Sequence, residues 1–117
     1  MGNALFSEEH IVINGVTPVA DAFSGTVNSD VVDVSEAHRL TFIVWWGVGL
    51  TGTTVLKVQA CDDVTPTNTT AVKFTSRRVA AFGTSDTYGA VVSNTAADGL
   101  TTTAGSNQIY LIEVDPA

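Results

Sequence analysis

The segment LTFIVWWGVGL, residues 40–50, constrains the fold of this chain more than any other stretch. Successive side chains of a β-strand point to opposite faces, so a strand with one wet face alternates apolar and polar residues. Here both faces are apolar. The first carries Leu40, Phe42, Val44, Trp46 and Val48, and the second carries Thr41, Ile43 and Trp45. We therefore predict that the core covers one face, and that a loop of the same chain or a neighbouring subunit covers the other.

The rest of the sequence also favours β-structure. Val and Thr dominate it, and their branched Cβ atoms favour a pleated backbone over a helix. Gly, Asn, Asp and Thr recur at about the spacing of turns in a sandwich or barrel. No ten-residue segment carries a helical apolar stripe. The sequence therefore predicts an all-β chain.

Strands can be placed from alternation and turn residues. They are predicted at 9–14, 31–35, 39–47, 53–62, 71–79, 87–93 and 108–114. The glycine-rich GVGLTG between the third and fourth predicts a β-hairpin over 39–62. Residues 94–107 are interpreted as a long loop or a β-excursion. The closing strand, QIYLIEV, is again apolar on both faces, with Ile109 and Leu111 on one of them.

Without crossover helices these strands should pair mainly antiparallel. A β-sandwich is the natural architecture, and jelly-roll connectivity is one way to build it. At 117 residues the chain is one domain, predicted to span 9–117. Residues 1–8 are predicted to be an extended N-terminal arm, with loop-like sequence continuing to about residue 30.

Charge limits the classes of partner. The net charge is -7, from 5 Lys+Arg and 12 Asp+Glu, and only Arg77–Arg78 forms a basic pair. Nucleic acid is therefore rejected as the main partner, since phosphate binding requires basic patches. Charged residues make up only 15% of the chain, against about 25% in ordinary domains. This low charge favours burial of some surface in an assembly. No apolar run is long enough for a membrane helix, and the N-terminus lacks the pattern of a signal peptide.

No catalytic or metal-binding motif is found. The two histidines, His10 and His38, are far apart in sequence, and no Cys/His spacing resembles a zinc site. The acidic pairs Asp30/Asp33 and Asp62/Asp63 fit Asx-turns at strand ends better than a calcium loop. Cys61, the only cysteine, is predicted to be a small buried residue. We therefore expect no catalytic residues, no metal and no cofactor.

Three segments resemble a group of small virion proteins of tailed bacteriophages, of the capsid decoration or cement type. They are VQACDDVTPTNTTAVKFTSRR (58–78), TTAGSNQIYLIEVDPA (102–117) and the LTFIVWWG strand, together 45 of the 117 residues. The resemblance implies a β-sandwich without an active site, made in the host cytoplasm and bound to the major capsid protein on the outer capsid surface. Similar chains continue by a few strands beyond IEVD, which implies either a short member or strands supplied by a neighbour.

Self-association is expected as well, with a trimer favoured. Trp45 and Trp46 are adjacent, so only one can fill the core. Arginines can pair with acidic capsid loops, and an apolar arm can dock in a groove. The candidate interface residues are Leu5, Phe6, Trp45, Trp46, Arg77, Arg78, Ile109 and Leu111.

Two other functions remain open from the residues. The first is a receptor- or carbohydrate-binding β-sandwich of a phage spike or fibre, with Trp45 or Trp46 stacking on a sugar ring beside Asp and Asn acceptors. The second is a small hydrolase with carboxylates paired in space, which the lack of any local signature disfavours.

Overall fold

The computed structural model describes residues 4–17, 25–47, 52–63, 65, 68–80, 83–84 and 86–115. These residues form one short helix and eight strands, and every strand pair is antiparallel. The prediction of a nearly all-β chain with antiparallel sheets is confirmed. The elements are α1 (Phe6–Glu9), β1 (Leu40–Trp46), β2 (Val55–Leu56), β3 (Val58–Cys61), β4 (Thr69–Val72), β5 (Phe74–Val79), β6 (Val92–Asn94), β7 (Leu100–Thr101) and β8 (Gln108–Val114).

By its internal contacts the chain divides into two compact units, Met1–Val31 and Val32–Ala117. The first contains α1, where the Glu8 carboxylate accepts a 2.7 Å hydrogen bond from the Leu5 N–H. The rings of Phe6 and His10 stack with their centroids 4.1 Å apart. None of the described helices is long and apolar enough to span a membrane.

Two predicted strands are absent. Residues 10–14 have no described strand partner, and a strand exists only where another strand satisfies its backbone groups. Residues 31–34 form no strand and the chain turns at 35–36, because the Asp33 carboxylate accepts the Ser35 N–H at 2.9 Å and Ala37 N donates to Val34 O at 3.0 Å. Local hydrogen bonds of this kind compete with sheet pairing.

The main sheet has four strands in the order β1-β8-β5-β6. Two small sheets pair β2 with β7 and β3 with β4. The predicted 39–62 hairpin is therefore wrong, since β1 pairs with β8 over seven residues, from Leu40↔Val114 to Trp46↔Gln108. The strand predicted over 53–62 is broken at Lys57 into two short pieces and offers β1 no partner of equal length.

The core lies on one face of the main sheet. Its buried apolar residues are Phe74, Leu100, Tyr110, Ile112 and Val114. Leu40, Phe42 and Val44 pack against them from β1, and Leu56, Val58 and Val72 do so from the two small sheets. This packing is sandwich-like, whereas the jelly-roll connectivity stays a prediction.

Cys61 is exposed, so the prediction that it is buried is wrong. It ends β3 opposite Thr69, and of the four β3 residues only Val58 is half-buried and reaches the core. A short run of alternation therefore overstated how much of this strand is covered.

We expect Cys61 to react rapidly with a thiol reagent in the folded protein, because its side chain is exposed. Cys61→Ser should change the free energy of unfolding by no more than about 0.5 kcal/mol, as exposed substitutions usually do. Labelling kinetics with and without denaturant measure the first effect, and urea unfolding measures the second. Labelling that requires unfolding would contradict the exposed position.

Candidate interaction surface

Strand register brings together residues that lie far apart in sequence. Ile43 pairs with Leu111, and Leu111 pairs with Arg77 on its other side. Trp45 pairs with Ile109 in the next row of the same face. Directly paired residues of antiparallel strands have side chains on the same side of the sheet. These five residues define what we call the outer face, opposite the core.

The outer face is only partly covered. Ile43 is 65% exposed and Trp45 is 67% exposed, whereas Ile109 and Leu111 on the central strand β8 are half-buried. Val79, which pairs with Ile109, is buried with 4% of its surface exposed. Within the single chain, the second apolar face of the LTFIVWW strand is thus covered toward Val79 and left exposed at Ile43 and Trp45.

The outer face unites four of the candidate interface residues: Trp45, Arg77, Ile109 and Leu111. Ile43 is a fifth member that sequence reasoning did not select, although its place beside Trp45 in the alternation gave the signal. Leu5 and Phe6 lie in the first unit and are 66% and 63% exposed. Trp46 pairs with Gln108 in register, but its side chain lies outside the described structure.

Arg77 borders the outer face as a half-buried, fixed cation. Its Nε donates a 3.0 Å hydrogen bond to Gly89 O. Its guanidinium carbon lies 5.4 Å from the centroid of the Tyr88 ring. A carbonyl and an aromatic face orient the charge without neutralising it, so an external carboxylate could still bind the guanidinium.

The side chain of Arg78 points to the opposite face of β5 from that of Arg77. Its Nε donates to Gln108 Oε1 at 3.0 Å, and its guanidinium carbon is 6.0 Å from the Tyr110 ring centroid. Both arginines line a shallow depression of about 320 Å³. The walls of this depression include Ser76, Leu100, Thr103 and Tyr110.

A buried polar network lies beneath Arg78. Gln108 is 1% exposed, and its Nε2 donates to Thr103 O at 3.0 Å. Tyr110 OH donates to Gln108 Oε1 at 3.3 Å and accepts the Thr103 N–H at 3.0 Å. Sequence reasoning missed this network. The available signal was a glutamine at a core-facing position of the alternating QIYLIEV strand.

Two of the four acids predicted to be turn residues, Asp33 and Asp63, make the expected turn hydrogen bonds. Asp33 and Asp63 accept backbone N–H groups two residues ahead, from Ser35 at 2.9 Å and Thr65 at 2.7 Å. The Ser35 hydrogen bond lowers the pKa of Asp33. Among the residues that the structure describes, no group of three His, Cys, Asp or Glu side chains is placed to hold a metal ion.

Asn68 lowers the pKa of Asp62, because its amide donates a 3.1 Å hydrogen bond to the carboxylate. We expect Asn68→Ala to raise this pKa toward the ordinary value of 3.8. A carboxyl group whose pKa is lower in the folded than in the unfolded state stabilises the fold at pH values above its unfolded-state pKa. This contribution is lost as the pH falls through its folded-state pKa. The variant should thus match wild type at the lowest pH and be slightly less stable above about pH 4.

Carboxyl-carbon NMR titration measures this pKa directly. Asp33 serves as the internal control, because its carboxylate accepts a hydrogen bond from the Ser35 N–H rather than from Asn68. The Asp33 carboxyl should therefore titrate unchanged in the variant. An unchanged Asp62 titration would show that the Asn68 amide does not set its pKa.

Comparison with known proteins adds no relative. The chain matches no protein-family model, and no curated protein or solved structure is significantly similar to it. Any function must therefore be argued from the outer face and from the sequence motifs themselves.

Proposed function

We propose that this chain is a non-enzymatic structural subunit that binds and reinforces the outer surface of a tailed-phage capsid. One structural observation carries the proposal. Ile43 and Trp45 are mostly exposed on a sheet face that continues through Ile109 and Leu111. The sequence resemblance to capsid decoration proteins supports the major capsid protein as the partner of that face.

Burial of the outer face against the capsid would stabilise the complex. A buried aromatic side chain removes roughly 150–250 Å² from water, which at about 25 cal/mol per Å² corresponds to several kcal/mol. Arg77 at the margin can form a charge-assisted pair with a carboxylate of the capsid. Several copies held in one oligomer bind with a high effective concentration, so modest contacts at each subunit suffice.

Reinforcement of a capsid requires no catalysed reaction. Packaged DNA presses outward and pulls neighbouring capsid subunits apart. A subunit that bridges them adds interface area at each junction and thereby opposes rupture. The net charge of -7 also suits an exterior position, away from DNA phosphates that would repel it.

The proposal is tested by binding to capsids that lack this protein. Ile43→Ser/Trp45→Ser changes the most exposed part of the outer face, and we expect it to weaken binding at least about a hundredfold. Val55→Ser is the matched control, because Val55 is 51% exposed but lies on β2, away from that face. Equal binding by both variants would contradict the role of the outer face.

Cryo-electron microscopy of the virion tests the location. We expect density for this chain on the shell, and shells without it should rupture at lower temperature. Density confined to the tail tip would overturn the decoration role.

The exposed Trp45 ring also supports a second candidate function, a receptor- or carbohydrate-binding module of a phage spike or fibre. A flat aromatic face can stack on a sugar ring. Tail-tip density together with glycan binding that Trp45→Ser abolishes would establish this alternative.

A further inference from the structure

Strand β1 is an edge strand of the main sheet, and the backbone groups on its unpaired side can be identified. Asn107 N donates to Gly47 O at 2.8 Å, which extends the β1–β8 ladder by one pair beyond Trp46↔Gln108. In an antiparallel ladder, hydrogen-bonded and non-hydrogen-bonded pairs alternate. The backbone groups of Thr41 and Ile43 therefore face β8. Those of Leu40, Phe42 and Val44 face the outer edge, where the described residues provide no further strand.

The second feature is a segment that lacks a strand partner. Residues 10–14 have a strand-forming sequence but no described strand partner. The backbone is already extended after α1, with His10 at φ -131 and ψ 146. Ile11, Val12 and Ile13 are 89%, 81% and 54% exposed. Three consecutive apolar side chains exposed to water directly after the extended His10 indicate a segment that pairs in an assembly.

We propose that residues 10–14 of one copy add to the β1 edge of a second copy as a fifth strand of its main sheet. The strand that the sequence predicts at 9–14 then forms by pairing with a neighbouring chain. Each added strand pairs the edge-facing groups of Leu40, Phe42 and Val44. This inference concerns self-assembly and does not rest on the proposed capsid role.

Charge selects the direction of the added strand. Neither residues 11–14 nor β1 carry a charge, but Glu9 precedes the first segment and Arg39 precedes the second, and both are exposed. A parallel alignment places Glu9 beside Arg39 and Ile13 beside Ile43. An antiparallel alignment centred on Val12 and Phe42 would place Glu9 beside Trp45 instead. The parallel arrangement pairs the charges and extends the outer face.

Each chain supplies one segment and one edge, and a closed assembly built in this way is either a reciprocal pair or a ring, the trimer included. Either form removes an exposed apolar edge that could otherwise template aggregation. The 10–14 segment and the β1 edge are therefore two halves of one interface, and blocking either half should abolish assembly.

Two full-length variants test this by complementation. Val44→Pro removes an edge-facing N–H and leaves the β8 hydrogen bonds intact, and Val44→Ala is its control. Val12→Pro/Ile13→Pro removes one N–H on each side of the segment, and Val12→Ala/Ile13→Ala is its control. In sedimentation velocity at micromolar concentration, we expect wild type and both alanine controls to self-associate and both proline variants to be monomers.

The mixture of the two proline variants is decisive. The first retains a competent segment and the second a competent edge, so together they should form a one-to-one heterodimer. A mixture that stays monomeric, although both variants keep a wild-type circular dichroism spectrum, would overturn the proposal. So would a monomeric wild-type protein. Self-association of Val12→Pro/Ile13→Pro alone would show that β1 edges pair with each other instead.

Charge reversal tests the alignment without proline. Glu9→Lys and Arg39→Glu should each raise the dissociation constant of the assembly about five- to tenfold, and the double variant should restore it to within about twofold. Both side chains are exposed, so folding should be unaffected. Additive losses in the double variant would rule out the parallel alignment.

Discussion

Gln108→Ala is expected to lower the free energy of unfolding by about 3 to 5 kcal/mol, a large part of the 5 to 15 kcal/mol typical of a domain. Gln108 is 1% exposed at the start of the central strand. Its side chain bonds Arg78 Nε, Thr103 O and Tyr110 OH. Truncation leaves these groups without that partner and opens a cavity beneath them.

Two controls separate these causes. Gln59→Ala makes the same chemical change at an exposed position of β3 and should cost no more than about 0.5 kcal/mol. Gln108→Met keeps most of the volume but none of the hydrogen bonds, so its cost should fall between the other two. Chemical denaturation of all three variants measures the differences. Equal stability of Gln108→Ala and Gln59→Ala would mean that the network contributes nothing.

Gly99→Ala is expected to lower the free energy of unfolding by about 2 to 4 kcal/mol. Gly99 has a φ of +67°, a left-handed conformation that is energetically unfavourable for residues with a side chain. A Cβ there would also lie 2.6 Å from Leu56 O and 2.8 Å from Lys57 Cγ. The carbonyl belongs to β2, which pairs with β7 directly after Gly99, so relief of the clash would separate the two strands.

Gly83 is the matched control for Gly99. Its φ is +85°, but a Cβ there would meet no atom within 4 Å. Gly83→Ala therefore reports the backbone strain alone, about 1 kcal/mol. Thermal unfolding should show a clearly larger loss for Gly99→Ala. Equal losses would show that the close approach to Leu56 is relieved without cost.

Much of the fold could be predicted from local pattern. The strands predicted over 39–47 and 108–114 are present as β1 and β8, because long apolar alternation over β-branched and aromatic residues has few other outcomes. The turn role of Asp33 and Asp63 was equally accessible, since a short carboxylate reaches backbone N–H groups two residues ahead in almost any context. These features depend on residues that are neighbours in sequence.

Which strands pair could not be predicted in this way. The glycine-rich loop after β1 favoured a hairpin over 39–62, yet β1 pairs with β8, more than sixty residues later in the chain. Alternation specifies the faces of a strand but not its neighbour, because the pairing energy depends on the length, register and burial of a partner that lies far away in sequence. The burial of Gln108 on β8 and the exposure of Cys61 on β3 likewise depend on how strands distant in sequence pack together.

The sequence by itself thus determined the β-class and the two doubly apolar strands. Only the tertiary structure decided that Ile43, Leu111 and Arg77 form one row and that Ile43 and Trp45 stay exposed. The physical reason is that side-chain direction is a local property of the backbone. A surface is created by contacts between distant segments.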